Sequence, residues 1–552
     1  MAQQHLDRLS AIDASFLHQE GPTSHMHVGG LAIFAGPPPR MEEVIEQVRG
    51  RLHLVPRYRQ RLAHTPLDSG RPVWVDDPNF NLEYHFRHTA LPPPGDRAQL
   101  LRLTARINSQ QLDRSKPLWE TWFVEGLEDG RFALIWKTHH ALIDGIAGVD
   151  LATVLFDLSP APPAVENSGT PWQPQPEPGT ASLLAAGVLG AMNAAIEIAT
   201  HAVDAATHPE RAFARVREAT EGIGEVAWAA LNPAPETPLN VQIGPHRRFV
   251  GVACRLDDFK LIKNTFGGTV NDVVLSVVSG ALRSFLEDRG VRTEELELRA
   301  LVPVSVRTKD ERNQFGNRIA AMRAALPVYV EDPVTRLDVV RQAMDGLKES
   351  KQALGAEVIS GVQNFAPPTI LAQASRINFS TRLFNLLVTN IPGPQFPLYV
   401  LGHELEEVFP VAFLPRKHAL AVAIMSYNGA INFGLLGDYD ALPDIDRIAE
   451  SLERELAALL VLAVGAAAQA TAAGAAAAEA APVRRAKPTR RAKPRTTVAA
   501  EPASESRPKP KPKRTSKPTP EPEPAATTKP RRPRKPTPAA PAADDEASAP
   551  GT

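Results

Sequence analysis

The aromatic residues stop well before the chain does. Tyr439 is the last Phe, Trp or Tyr of 552 residues, and from Ala481 onward 17 of the 52 prolines stand among 18 Lys/Arg and 7 Asp/Glu. A segment without aromatic or aliphatic bulk cannot bury enough apolar surface to offset the entropy of ordering it. It reads as a disordered tail, so any fold belongs to the residues before it. Charge divides at the same place: the formal net charge of −1 is the sum of +11 on the tail and −12 on the rest.

The single cysteine, Cys254, excludes a disulfide framework and every multi-cysteine metal site. The N-terminus, MAQQHLDRLSAIDASFLHQE, mixes charged and apolar residues and lacks the basic start and apolar run of a secretory signal. A cytoplasmic location is the expectation.

The folded part reads as α/β material in two blocks. His27 to Gly36 predicts a strand ending in the turn GPPPR, Met41 to Leu52 a helix, and Phe132 to Thr138 (FALIWKT) a buried strand. Residues 1–158 form the expected N-terminal lobe and 159–179 a proline-rich linker. Residues 180–235 are an alanine-rich helical region, 236–462 a C-terminal lobe, and 463–552 the tail. In the alanine-rich region Asn193, Glu197 and His201 interrupt the apolar run within the length a bilayer requires, so a packed or interfacial helix is expected there. Val270 to Glu287 sets Val273, Val274, Val277, Val278, Ala281, Leu282 and Phe285 on one helical face. Gly434 to Tyr439 closes the last strand region, and Ile445 to Leu462 is a final amphipathic helix.

The chemistry concentrates in KTHHALIDGIAG, Lys137 to Gly148, which holds His139, His140, Asp144 and Gly145 as H-H-x-x-x-D-G. Two adjacent histidines at a strand end are expected to point to opposite faces, one into a cavity and one into the scaffold. A neutral imidazole titrates near working pH and can take a proton from a hydroxyl. Asp144 can fix the local backbone or an arginine, and Gly145 and Gly148 permit a tight turn. Two other readings stand beside this one. A metal site would need a third ligand at a spacing such as H-E-x-x-H, which is absent here, and purely structural histidines would need no partner motif. A serine hydrolase is not favoured, since no G-x-S-x-G occurs.

Further motifs line up in order along the chain: LSAIDASFLHQEG with SHMHVGG, RSKPLWE (Arg114 to Glu120), HHALIDG, IGPHRRF (Ile243 to Phe249), TVNDVVLSVVSGALR (Thr269 to Arg283), PVSVRT, FGNRI and TNIPGPQFPLYVLG (Thr389 to Gly402). With them the sequence resembles the bacterial wax ester synthase/diacylglycerol acyltransferase family, over about residues 6–460. The resemblance implies a two-lobed fold of the chloramphenicol-acetyltransferase type with a tunnel between the lobes. It implies acyl transfer from acyl-CoA, a substrate and not a cofactor, to diacylglycerol or a long-chain alcohol. His140 would be the general base, His139 supporting and Asp144 structural, with Gly145 in the turn and no acyl-enzyme. Asn271 and Asn390 are candidate oxyanion donors, each equally readable as a cap or turn residue. Pro117, Leu118 and Trp119 would shape an apolar wall, Trp119 more as core than as substrate contact.

Two positions depart from the family pattern: Thr389 stands where Ser is more usual in S-N-x-P-G-P, and Val241-Gln242 replaces an Asn-Gly-containing stretch. Acceptor preference and chain length are not written in these motifs. Peripheral association with the inner membrane face or a lipid inclusion is also implied. The basic tail reads as a solvated spacer, as an arm for anionic lipid, or as an arm for nucleic acid, in the last case through phosphate alone because no aromatic residue interleaves its charges.

Overall fold

The structure, a computed structural model, describes residues 7–65, 71–142, 155–161, 172–183, 232–305, 319–349 and 380–480. Most of the alanine-rich region, part of the proline-rich segment and the whole basic tail lie outside the described residues.

The first half contributes α1 (Ala11–Gln19), β1 (His27–Phe34), α2 (Met41–Arg51), β2 (Gln60–Ala63), β3 (Val73–Asp76), α3 (Leu82–His85), β4 (Phe86–Ala90), α4 (Arg97–Asn108), β5 (Trp119–Glu125) and β6 (Phe132–His139). The second half contributes β7 (Arg247–Arg255), β8 (Leu298–Ser305), β9 (Ile319–Leu326), β10 (Leu386–Pro392), β11 (Tyr399–Val400), β12 (His403–Val411), β13 (Leu420–Tyr427) and β14 (Ala430–Asp438). These strands build two six-stranded mixed sheets, ordered β11-β12-β1-β6-β5-β4 and β7-β14-β13-β10-β8-β9, beside the hairpin β2-β3.

Strand β6 is apolar along most of its length because both faces of the first sheet are covered. Phe132 and Leu134 enter an outer core with Phe34, Phe123 and the α2 residues Val44, Ile45 and Val48. Ala133 and Ile135 enter a larger core that continues into the second sheet. The Gly-Gly pair of β1 has a steric cause: a Cβ on Gly30 would lie 2.4 Å from the Trp136 ring.

The first sheet is not built from the first half alone. Strand β12 pairs antiparallel with β1, Leu31 opposite Phe409 and Gly30 opposite Pro410, so the C-terminal block supplies an edge of the N-terminal sheet. On the second sheet a Cβ at Gly434 would stand 1.8 Å from the Pro410 carbonyl oxygen; only a glycine lets the two sheets meet there.

The helix Val270–Asp288 begins at Thr269, whose hydroxyl accepts from the Asp272 amide while the Asp272 carboxylate accepts from the Thr269 amide. Its apolar face packs on the last helix, Ile445–Ala480. That helix runs 18 residues past the expected end at Leu462, taking in what was read as the start of the tail. Alanine has the highest helix propensity, and no proline interrupts the run before Pro482. By length and composition it could cross a bilayer, yet Ile448, Leu452, Leu456, Leu459 and Ala463 are buried in the lobe. One face of its first half packs into the lobe, while Val461, Leu462 and Val464 at mid-helix are exposed.

Candidate active site

His139 is the last residue of β6 and lies opposite His27 of β1 in the ladder. Its ring is fully buried, and Nδ1 accepts a 3.1 Å hydrogen bond from the Ala141 amide. A nitrogen that accepts an N–H carries no proton. Burial, the Arg114 charge and the neighbouring His140 push the His139 pKa down to about 3, so the ring is neutral at working pH with its proton on Nε2.

His140 opens the 3-10 turn His140–Leu142, and the strand alternation that would have sent the two rings to opposite faces ends at this point. The His140 amide donates to the Met26 carbonyl at 2.8 Å. Its half-buried ring stacks on Phe16, centroids 3.9 Å apart at 20°, and meets the edge of Phe413 at 5.8 Å and 90°. Phe16, Met26 and Phe413 belong to the core shared with the second sheet, as does Ile135 on the His139 side of β6. Both histidines therefore face the same layer, which corrects the opposite-face expectation.

Helix α1 delivers Phe16. Ser10 caps it by accepting from the Asp13 amide at 3.1 Å, and the Glu20 amide closes it on the Phe16 carbonyl. Arg114 holds this end, donating through Nε to Glu20 at 2.6 Å and through Nη2 to the Leu17 carbonyl at 2.8 Å. Glu20 Oε2 lies 3.7 Å from His139 Nε2.

Beneath the histidines, Lys137 is fully buried. Its ammonium donates to the carbonyls of Ile107 at 3.2 Å and Gln110 at 2.8 Å, and lies 3.4 Å from Glu120, which also accepts from Arg87 at 3.0 Å. A cation on carbonyls at and just past the end of α4 satisfies groups that a helix end leaves open and matches the negative end of its dipole.

Several histidines are held neutral by burial: His85 is pushed down to about 4, and His27 also lies well below the ordinary value. Such a group binds fewer protons folded than unfolded, so its stabilising effect is complete above pH 6.5 and is lost as pH falls toward the folded pKa. Each costs about 1.4 kcal/mol per pH unit in that window. His85 and His139 together are expected to remove roughly 3 kcal/mol between pH 6.5 and 5. Urea unfolding midpoints across this range measure it, and a flat profile would contradict it.

Asp144 and Gly145 lie outside the described residues. Asn271 and Asn390 are brought together, Asn390 Nδ2 donating to Asn271 Oδ1 at 3.0 Å. Trp119 is fully buried on the outer face, donating through Nε1 to the Tyr58 carbonyl at 2.8 Å and stacking on His85 at 4.8 Å. It is a core residue and not a surface for substrate. Sequence reasoning missed Phe16, Glu20, Met26 and Phe413. The first two lie in LSAIDASFLHQEG and could have been found from helical spacing; Phe413 is brought in from 273 residues away and carries no local signal.

Two mixed sheets, the first completed by strand β12 from the C-terminal half, and a paired-histidine turn on the layer between them give the two-lobed fold of the CoA-dependent acyltransferases. A trichothecene 15-O-acetyltransferase from Fusarium sporotrichioides has the same fold, with a TM-score of 0.51 at 14% identity, over 82% of this chain and 94% of that one. Residues 9–274 match the wax ester synthase/diacylglycerol acyltransferase catalytic domain and residues 315–460 the C-terminal domain of that family, to which the chain belongs. It is 33% identical over 461 residues to a probable diacylglycerol O-acyltransferase of Mycobacterium tuberculosis, covering 83% of this chain and 96% of the relative. It is 29% identical to the solved wax ester synthase/diacylglycerol acyltransferase of Marinobacter aquaeolei, with a TM-score of 0.57, over 83% of this chain and 99% of that structure.

Proposed function

We propose that the protein moves a fatty acyl group from acyl-CoA to the free hydroxyl of diacylglycerol, with long-chain alcohols as a second acceptor class, and that His140 is the general base. The observation that carries the role of His140 is the contrast between the two rings. His139 is neutral, buried and committed to the Ala141 amide, whereas His140 is half-buried and gripped between two phenyl rings that fix its plane. The acceptor follows from the diacylglycerol acyltransferase relatives.

In this reading the His140 imidazole takes the hydroxyl proton as the oxygen attacks the thioester carbonyl. The tetrahedral intermediate collapses by breaking the C–S bond, and the imidazolium returns the proton to the departing CoA thiolate. No acyl-enzyme forms. The oxyanion needs donors; the Asn390–Asn271 bond occupies the Asn271 carbonyl and leaves the Asn271 NH2 group to serve. Asp144 would brace the turn beyond the described residues. Peripheral action at a lipid surface belongs to the same reading, supported by the exposed Val461, Leu462 and Val464 and by the +11 tail.

The test is thiol release by the purified full chain with palmitoyl-CoA against diacylglycerol, hexadecanol or buffer. Diacylglycerol is expected to give the fastest turnover and triacylglycerol as product. Thiol release no faster with either acceptor than in buffer would overturn the proposal.

A further inference from the structure

We propose that Glu20 is a positioning residue for the histidine pair: its carboxylate holds His139 as the Nε2–H tautomer, and that tautomer fixes the turn carrying His140. The inference rests on His140 being the base. Its ground is that one helical turn of α1 touches both rings. Phe16 lies against His140 and Glu20, four residues on, faces His139, while Arg114 ties the Glu20 carboxylate to the Leu17 carbonyl at the same helix end.

The link from tautomer to geometry is direct. Ala141 donates to His139 Nδ1 across the turn, so the bond brackets residue 140 between its two ends. If the proton sat on Nδ1, that nitrogen would present an N–H to the Ala141 N–H and the turn would open. Which ring nitrogen holds the proton is set by what the other one faces. The Nε2 side of His139 faces Glu20 Oε2 at 3.7 Å, beyond a direct hydrogen bond; that oxygen also accepts from Arg114 Nε at 2.6 Å, so what His139 meets is the negative end of a buried ion pair, which favours an N–H over a lone pair at Nε2.

The arrangement is costly for a purely structural one. Among the described residues neither His139 Nε2 nor Glu20 Oε1 has a hydrogen-bond partner, and both are buried. Unsatisfied buried polar atoms oppose folding. A neutral pair of the same shape would tie α1 down with less strain on stability, but would leave the Ala141 amide alone to direct the tautomer.

The experiment uses the full chain with 15N-labelled histidine, reading the His139 tautomer by two-bond 1H–15N correlation, and kcat and KM with palmitoyl-CoA and diacylglycerol. Glu20→Gln keeps the shape and removes the charge. It is expected to admit the Nδ1–H form and to lower kcat about tenfold at unchanged KM, the scale of a displaced reacting group. Glu20→Asp keeps the charge and is expected to keep the Nε2–H form and most of kcat. A pure Nε2–H signal in Glu20→Gln, or a kcat loss in Glu20→Asp as large as in Glu20→Gln, would overturn the inference. Turnover surviving in His140→Ala would instead remove the base assignment, while the His139 signal still decides what Glu20 does.

Discussion

His140→Ala is expected to lower kcat for acyl transfer by about 10²- to 10⁴-fold, the range a positioned general base contributes. Among the described residues its neighbour His139 cannot substitute. His139 has its Nδ1 lone pair engaged by the Ala141 amide and a pKa near 3, so it is a poor proton acceptor at neutral pH. The fold should survive, because the His140 backbone bond to Met26 does not involve the side chain. Thiol release in steady state measures the loss, and an unchanged thermal transition separates it from unfolding. A folded variant with wild-type turnover would rule out the assignment.

The largest effect on stability is expected at Lys137, which sits in the same strand but does no chemistry. Lys137→Ala removes a donor from the carbonyls of Ile107 and Gln110, at and just past the end of α4, and leaves the buried Glu120 with Arg87 and the Trp122 indole N–H but without its ammonium. Breaking one side of such a buried pair costs about 3–5 kcal/mol. Because replacing both charges by apolar or neutral groups is far milder, the double variant Lys137→Met with Glu120→Gln should recover much of the loss. Urea unfolding with an unchanged m-value reads both. Equal destabilisation in the single and double variants would assign the cost to packing and not to charge.

Legibility in the sequence followed the range of the interaction. The helices Met41–Arg51 and Val270–Asp288 and the strands β1 and β6 were readable within a residue or two at their ends, because periodicity, caps and turn residues are local signals. The last helix was underestimated because its alanine continuation carries propensity without an apolar stripe. The paired histidines were visible as a motif, but their orientation was not: strand alternation holds only while the chain stays in the strand, and it leaves at His140.

The sequence by itself determined that a basic, aromatic-free tail follows the body, that a paired-histidine motif is the candidate for base chemistry, and that the motifs run in the order of one acyltransferase family. Each of these depends on composition or on residues close together in the chain. Only the tertiary structure decided that β12 completes the first sheet, that Phe413 comes from 273 residues away to meet His140, and that Glu20 faces His139. Those contacts depend on sheet register and on glycines at the lobe contact. They are properties of chain crossing and close packing, which no window of sequence records.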